Sequence, residues 1–236
     1  MKNQYFGDIN DYRKYGLLRI LAAGGKKRIA VCWMLTSDDN KGDGKFTAYL
    51  DHPKRWRQYD PELFDILSNV VGRKKERDVA SLSRARLIPS ATYFSRKLTD
   101  GNTDEYFDQF ETELKQSDII FFDPDNGLEI RSIPRGRRGS HKYLYWKEAA
   151  RFFSLGHSLL VYQHYPRMGR ERFIILKAGE IFSRINTTTV YSFRTAKVVF
   201  FFISQRRHVK SLRFIARKIR YAWGDEIIPE EHHIRK

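Results

Sequence analysis

The sequence predicts a mixed α/β fold, in which a doubly wound, mainly parallel sheet carries helices on both faces and ends in a C-terminal antiparallel hairpin. Short, continuously apolar runs, clearest at residues 118–122 and 198–203, have the length of buried strands. Segments with helical spacing alternate with them, the order that builds βαβ units. The 236 residues suffice for a large core. We predict one domain over residues 1–236, with residues 36–100 a partly helical insertion.

The first half of the chain alternates helices with two buried strands. Asp8 or Asn10 is expected to cap a helix over residues 11–21, which Gly24 and Gly25 close. The elements that follow are a strand over 28–34, a helix that starts at Asp60-Pro61 and runs into 63–71, a helix over 103–115 and a strand over 118–122.

The second half continues the alternation and closes with a hairpin and a long helix. In the last helix, apolar residues recur at a 3-4-3-4 spacing, which predicts one buried stripe, and its basic faces would extend an electropositive surface. The elements are a helix over 145–153, a strand over 158–162, a helix over 170–182, strands over 187–193 and 197–204, and a helix over 205–223.

The charge is concentrated in one part of the chain. The net charge is +16, yet residues 130–222 contain 21 Lys and Arg and three acids, so the remainder is slightly acidic. Such a segment predicts a polyanionic partner. Its densest part is residues 134–142, here called the basic loop, whose glycines favour flexibility and ordering on binding. From it we predict four nucleic-acid-binding residues: Arg135, Arg137, Arg138 and Lys142.

Cysteine content and hydropathy exclude several classes of protein. Cys32 is the only cysteine, which excludes a disulfide scaffold, a thiolate zinc site and an iron–sulfur cluster. We expect no metal and no cofactor. The N-terminal residues do not read as a signal peptide and no run reaches the length of a membrane span, so a cytoplasmic location without a membrane partner is expected. Nothing implies an obligate protein partner.

The first polar cluster follows the strand over 118–122. Asp123, Asp125, Asn126 and Glu129 come directly after it, at the end where α/β sheets bind ligands. Pro124 fixes the turn, and Asn126-Gly127 predicts a tight corner. An Asx turn explains part of this pattern but not Asp123 and Glu129. We predict that the four polar residues are catalytic.

The second polar cluster lies at the start of the first helix. Helix capping accounts for one of its acids and amides, but not for all of them. We therefore predict that Asn10 and Asp11 are catalytic, that Lys14 binds nucleic acid, and that Tyr12 and Tyr15 stack on a base.

The third polar cluster follows the strand over 158–162. His164 is expected to carry a proton or bind phosphate, with a hydrogen-bonded loop histidine as the alternative, and Arg167 to bind nucleic acid. Tyr162 and Tyr165 are predicted to stack on a base. His232 and His233 lie in a polar tail and receive no role.

These residues resemble a known family. Gly7, Asp11 and Lys14 match the N-terminal pattern Ala-Gly-Asn-x-Ala-Asp-x-x-Lys-His of the J-type ribosomal RNA adenine-N6 methyltransferases. The order of the later segments is similar over most of the chain, including a strand that ends in Asp-Pro and a Tyr165-Pro166 element. The resemblance implies a methyltransferase-like fold that contacts nucleic acid.

The sequence departs from that family where its chemistry takes place. The glycine-rich turn that holds S-adenosylmethionine in the family corresponds here to residues 36–44, which are crowded with polar side chains. The Asp-Pro-Pro-Tyr motif, whose ring stacks on the flipped adenine, corresponds to Asp123-Pro124-Asp125-Asn126. The resemblance therefore favours the fold and nucleic-acid contact over methyl transfer.

Four functions remain open. The first is a cofactor-free DNA glycosylase that flips out a damaged or modified base, for example a phage base, and hydrolyses its N-glycosidic bond. The second is a methyltransferase with an altered cofactor site. The third is a Mg²⁺-dependent nuclease that uses Asp123, Asp125 and Glu129, and the fourth is a non-catalytic nucleic-acid-binding protein. We favour the glycosylase, with DNA rather than RNA as its partner.

Overall fold

A computed structural model describes residues 1–23, 27–38, 46–73, 77–114 and 116–234. The glycines expected to close the first helix and most of the polar segment at 36–44 lie outside the described residues.

The centre of the protein is a seven-stranded sheet, five strands of which the sequence predicts. The strand order is β2-β1-β3-β6-β8-β7-β9, and β4 and β5 form a separate parallel pair. The strands are β1 (Ile29–Cys32), β2 (Ala91–Phe94), β3 (Ile119–Phe122), β4 (Gly127–Leu128), β5 (Tyr143–Leu144), β6 (Ser158–His164), β7 (Thr189–Arg194), β8 (Val198–Ile203) and β9 (Ile228–His233).

Half of the sheet is parallel and half is antiparallel. Strands β2, β1, β3 and β6 run in the same direction. Strand β8 runs against β6 and β7, which confirms the hairpin, and β9 pairs antiparallel with β7. The sequence did not predict β2 or β9. His232 and His233 belong to β9 rather than to a polar tail.

Helices cover both faces of the sheet, as expected for a doubly wound fold. Alternate strand residues enter two cores: Phe121 packs with apolar residues of α1, α3 and α8, whereas Phe122 packs with those of α5, α6 and α7. The helices are α1 (Ile9–Ala23), α2 (Pro53–Trp56), α3 (Pro61–Leu67), α4 (Ala80–Arg84), α5 (Thr103–Glu113), α6 (Trp146–Ser154), α7 (Arg170–Arg184) and α8 (Val209–Trp223).

Within the described part of the chain, every helix is too short or too polar to cross a membrane.

Candidate active site at the carboxyl end of the sheet

A cavity of about 460 Å³ lies where β3 and β6 end and α1 begins. This is the edge of the sheet where α/β folds bind ligands. Acidic, amide, basic and aromatic side chains share its surface. The residues that line it are Met1, Lys2, Tyr5, Asp8, Asn10, Asp11, Lys14, Phe46, Asp123, Pro124, Asp125, Asn126, Lys142, Tyr162 and His164.

The turn after β3 brings three of the predicted catalytic residues into the cavity. Asp123, Asp125 and Asn126 all line it. Gly127 has φ +118°, and a Cβ there would lie 2.4 Å from the side chain of Gln163, so the corner requires glycine. The Gln163 amide accepts from the Leu128 N–H at 2.9 Å and donates to the Asn126 carbonyl at 3.2 Å. Strand β6 therefore holds the turn in place.

The first turn of α1 brings a second group of acids to the same cavity. The carboxylate of Asp8 accepts from the N–H groups of Asn10 at 2.8 Å and Asp11 at 2.9 Å, so Asp8 is the N-cap. Asp11 accepts from the Tyr15 hydroxyl at 2.6 Å and from the Gly7 N–H at 3.0 Å. These bonds fix both carboxyl groups before any ligand binds.

A buried ion-pair cluster joins the two groups of acids. Lys14 Nζ lies 2.6 Å from Asp11 Oδ1 and 2.7 Å from Asp123 Oδ2, and the lysine side chain is only 2% exposed. Burial alone would lower the pKa of Lys14, but the two carboxylates outweigh it and raise that pKa above its ordinary value. Lys14 is thus occupied by two carboxylates, which corrects the prediction that it binds a phosphate: it positions Asp11 and Asp123.

Two other carboxyl groups in the cavity have pKa values shifted in opposite directions. Burial, reinforced by the negative charge of Asp11, raises the pKa of Asp8 to about 7. Burial also acts on Asp125, but the Met1 amino group 2.7 Å away and the Thr36 hydroxyl 2.9 Å away outweigh it and lower its pKa. Near neutral pH, the cavity therefore contains a carboxyl that can hold a proton and one that stays ionised.

Strand β6 adds an aromatic ring and a histidine. Burial, followed by the charges of Asp8, Asp123, Asp11 and Asp125, raises the pKa of the Tyr162 phenol well above its usual value, and all four aspartates line the cavity together with this ring. Its hydroxyl lies 3.3 Å from His164 Nε2. Although the His164 side chain is exposed at the rim, desolvation lowers its pKa, and the ring is neutral at pH 7.

Three of the four predicted stacking tyrosines lie outside the cavity surface. Tyr12 is fully buried and donates its hydroxyl hydrogen to the carbonyl of Trp56 at 2.9 Å. Tyr15 is fully buried against Asp11, and the ring of Tyr165 packs on Phe173. These three are structural residues, which corrects the expectation that they stack on a base. Helical and strand spacing cannot distinguish a ring in the core from one in a cavity.

Two predicted site residues bond elsewhere in the fold. The Glu129 carboxylate accepts from the Trp146 N–H at 2.7 Å, so it stabilises the start of α6 and does not line the cavity. Arg135 forms ion pairs with Asp104 and Glu148, each at 2.8 Å. These two carboxylates neutralise its charge, which corrects the prediction that Arg135 binds nucleic acid. Both corrections have the same cause: a charged side chain found a partner that is distant in sequence.

The basic loop is anchored, contrary to the expectation that it orders only on binding. Asp100 accepts from Gly139 N, Ser140 Oγ and His141 N at 2.8–3.0 Å, and lies 2.6 Å from His141 Nδ1. Desolvation of Asp100 is outweighed by these bonds, which lower its pKa. The loop leaves Arg137 and Arg138 exposed and places Lys142 on the cavity surface, while Arg167 is exposed beyond β6.

The sequence did not single out several residues of the cavity. Phe46 is 66% exposed at its surface, and Tyr5 and Lys2 also line it. Asp8 was interpreted only as a possible cap. A motif search could have found Asp8, which lies inside the Gly7–Lys14 segment, but Phe46 lies in no recognisable pattern.

The described residues do not fit the cofactor turn that the family resemblance implies. A turn that holds S-adenosylmethionine needs exposed backbone after β1, but Trp33, Met34, Leu35 and Thr36 are all buried there. Leu35 instead pairs with Lys97, and Met1 hydrogen-bonds to Met34 and Thr36 across the space at the end of β1. No glycine occurs in residues 27–38.

Metal binding finds no support in the described ranges. There, no three His, Cys, Asp or Glu side chains form a group that could hold a metal ion. The predicted nuclease would use Asp123, Asp125 and Glu129, but Asp123 is paired with Lys14 and Glu129 with the start of α6.

Comparison with known proteins shows only distant structural similarity. No family model matches this chain, and no curated protein matches it. The crystal structure of human methyltransferase-like protein 13 in complex with SAH is similar at 9% sequence identity, covering 89% of this chain and 88% of that chain with a TM-score of 0.35. A similarity at this TM-score does not identify a function.

Proposed function

We propose that the protein is a cofactor-free hydrolase that cleaves the N-glycosidic bond of a nucleotide in a nucleic acid. The observation that carries this proposal is the pair of carboxyl groups, Asp8 and Asp125, whose pKa values are shifted apart within one cavity. Such a pair supplies one group that donates a proton and one that remains charged at the same pH.

The chemistry assigns a different role to each carboxyl group. Asp125 places a negative charge beside the oxocarbenium-like sugar and accepts a proton from the attacking water. Asp8 donates its proton to the departing base as the bond from C1′ to the base nitrogen breaks. The oxygen of water forms the new bond to C1′. Asn10 and Asn126, which both line the cavity, supply amide groups that can orient the sugar or the water.

The cavity surface also suits a base that has been flipped out of its strand. Tyr162 lines the inner part, and the exposed ring of Phe46 lies at the same cavity. Stacking on aromatic rings and contacts to cations are the usual ways of holding an extruded nucleotide. Lys142 and His164 extend the cavity towards the exposed arginines. A damaged or modified base is the expected target, because removal of normal bases would destroy the host genome.

The test measures base release directly. Oligonucleotides of DNA and RNA that contain normal and modified bases are incubated with the protein in EDTA, and free bases and abasic sites are quantified by mass spectrometry and alkaline cleavage. Asp8→Asn and Asp125→Asn are each expected to slow release by roughly 100-fold or more. The matched control is Asp108→Asn on α5, whose side chain is 64% exposed. Equal rates in all four proteins, or no release from any substrate, would refute the proposal.

A second candidate, methyl transfer to a nucleic acid, is favoured by one specific contact. Lys14 and Asp11 match the methyltransferase N-terminal pattern, and Lys14 joins Asp11 to Asp123 of the Asp-Pro segment by an ion pair with each. The same substrates with labelled S-adenosylmethionine distinguish the two functions. Incorporation of label without base release would replace the hydrolase proposal with this one.

A further inference from the structure

The structure divides the cations of residues 130–222 into paired and unpaired groups. Several are neutralised by acids: Arg135 by Asp104 and Glu148, and Arg151 by Asp108 and Glu111. Other pairs are Lys177 with Glu180, Arg213 with Glu231 and Arg220 with Asp225. The total charge of the segment therefore overstates the surface that is available to a polyanion.

Two groups of exposed cations without a carboxylate partner in the described ranges lie at opposite ends of the central strands. Strands β6 and β8 are antiparallel, with His164 opposite Val198 and Leu159 opposite Ile203. The turn before β8, which contains Lys197, therefore lies at the same edge as His164 and the cavity. The segment after β8, where Arg206 and Lys210 lie, is at the far edge.

Exposed cations without a carboxylate partner among the described residues lie on the cavity edge. They include Arg138, Arg167 and Lys197. Arg138 belongs to the basic loop, which Asp100 ties to the segment after β2 and whose last residue, Lys142, lines the cavity. Arg167 follows β6 directly. The side chain of Arg194 is excluded because Glu171 lies 3.8 Å away and offsets it.

We infer that the phosphates of a nucleic-acid strand bind along this cavity edge, on Arg138, Arg167 and Lys197, and not on the basic surface formed by the start of α8. The inference deepens the proposed function, since it rests on the reacting nucleotide lying in the cavity. A nucleic-acid strand bound along the cavity edge has cations on both sides of that nucleotide. A nucleic-acid strand bound at the far edge would be separated from the cavity by the length of β6 and β8.

The test compares two variants that lose the same charge. The cavity-edge variant is Arg138→Gln/Arg167→Gln/Lys197→Gln, and the far-edge variant is Arg184→Gln/Arg206→Gln/Lys210→Gln. Arg184 ends α7 just before β7, whose first residues pair with the end of β8 at the far edge. All six side chains are exposed and have no carboxylate partner in the described part of the chain, so each variant should fold, which thermal denaturation checks. Binding of a fluorescent 20-nucleotide single strand is measured by anisotropy over a range of salt. DNA and RNA are both tried, and the tighter binder is used.

The cavity-edge variant is expected to bind at least about tenfold more weakly at 50 mM salt. Its slope of log Kd against log salt should fall by roughly 2, since each phosphate contact on a single strand contributes roughly 0.7. The far-edge variant should bind like the unmodified protein. Equal weakening of both variants, weakening of the far-edge variant alone, or no change in either would overturn the inference. Because only binding is measured, a failure of base release leaves this result unaffected.

Discussion

Replacing Lys14 with methionine is expected to destabilise the protein by up to about 4 kcal/mol at pH 7 through Asp123, whose pKa burial already raises in the unmodified protein. The lysine is 2% exposed, and its ammonium is 2.7 Å from Asp123, whose side chain is 3% exposed. Without this partner the buried carboxyl must take up a proton in the folded state. A carboxyl with an unfolded pKa near 3.9 then costs about 1.4 kcal/mol for each pH unit above that value, or about 4 kcal/mol at pH 7.

The dependence on pH distinguishes this mechanism from a simple loss of packing. The folded pKa of Asp123 in the variant lies above its unfolded value, so stability is complete below the unfolded pKa and is lost as pH rises. At pH 5 the difference from the unmodified protein should shrink to about 1.5 kcal/mol. Urea unfolding followed by the fluorescence of the buried Trp33 and Trp223 gives both values.

Two further variants control the experiment. Lys14→Met/Asp123→Asn removes one of the two buried carboxylates that Lys14 neutralises and should recover the part of the lost stability that is due to Asp123, while Asp11 still lacks its cation. Lys147→Met breaks an exposed pair, 3.4 Å from Asp104, and should cost less than about 1 kcal/mol at either pH. If Lys14→Met costs the same at pH 5 and pH 7, Asp123 does not take up a proton in the folded variant, and the proposed cause of the destabilisation is wrong.

Three other predictions concern packing, pH and loop anchoring. Gly16→Ala should lower the free energy of unfolding by about 1–3 kcal/mol, because a Cβ would lie 2.0 Å from the ring of Trp223. Gly101→Ala is the control, since a Cβ there meets no atom within 4 Å. Thermal unfolding compares the two variants, and equal stabilities would contradict the close contact. Burial lowers the pKa of His208 to about 4, so the unfolded state alone takes up a proton below pH 6.5. The unmodified protein should lose about 2–3 kcal/mol of stability between pH 7 and 4.5, and His208→Gln should lose less over that range. Equal losses would show that titratable groups other than His208 cause the change. Asp100→Ala removes the acceptor of the hydrogen bonds that anchor the basic loop. Trypsin should therefore cleave that loop faster than in the unmodified protein. An unchanged cleavage rate would show that other contacts hold the loop.

Strands with a continuous apolar pattern were predictable, and strands without one were not. Strand β3 is four apolar residues that are all buried, and periodicity alone identifies it. Strand β2 is an edge strand with one buried residue out of four, and β9 has the polar sequence Ile-Pro-Glu-Glu-His-His. Both are strands because a neighbouring strand offers them hydrogen bonds, and that neighbour is distant in sequence.

The candidate site shows the same division. The sequence predicted that Asp123, Asp125 and Asn126 face a ligand, since residues directly after a buried strand lie at the carboxyl end of the sheet, where α/β folds bind ligands. It also grouped Asn10 and Asp11 near the start of α1, and these meet the first group in one cavity. Local order along the chain was sufficient for both.

The sequence by itself determined the α/β architecture, the position of the acids at strand and helix ends, and the concentration of positive charge in one segment. Only the tertiary structure decided which of these charges are free. Lys14 and Arg135 were expected to bind nucleic acid, but each is paired with a carboxylate more than ten residues away, Lys14 with Asp123 and Arg135 with Glu148. Charge and apolar spacing are local properties of a chain, whereas burial and ion pairing depend on which distant residue occupies the neighbouring space.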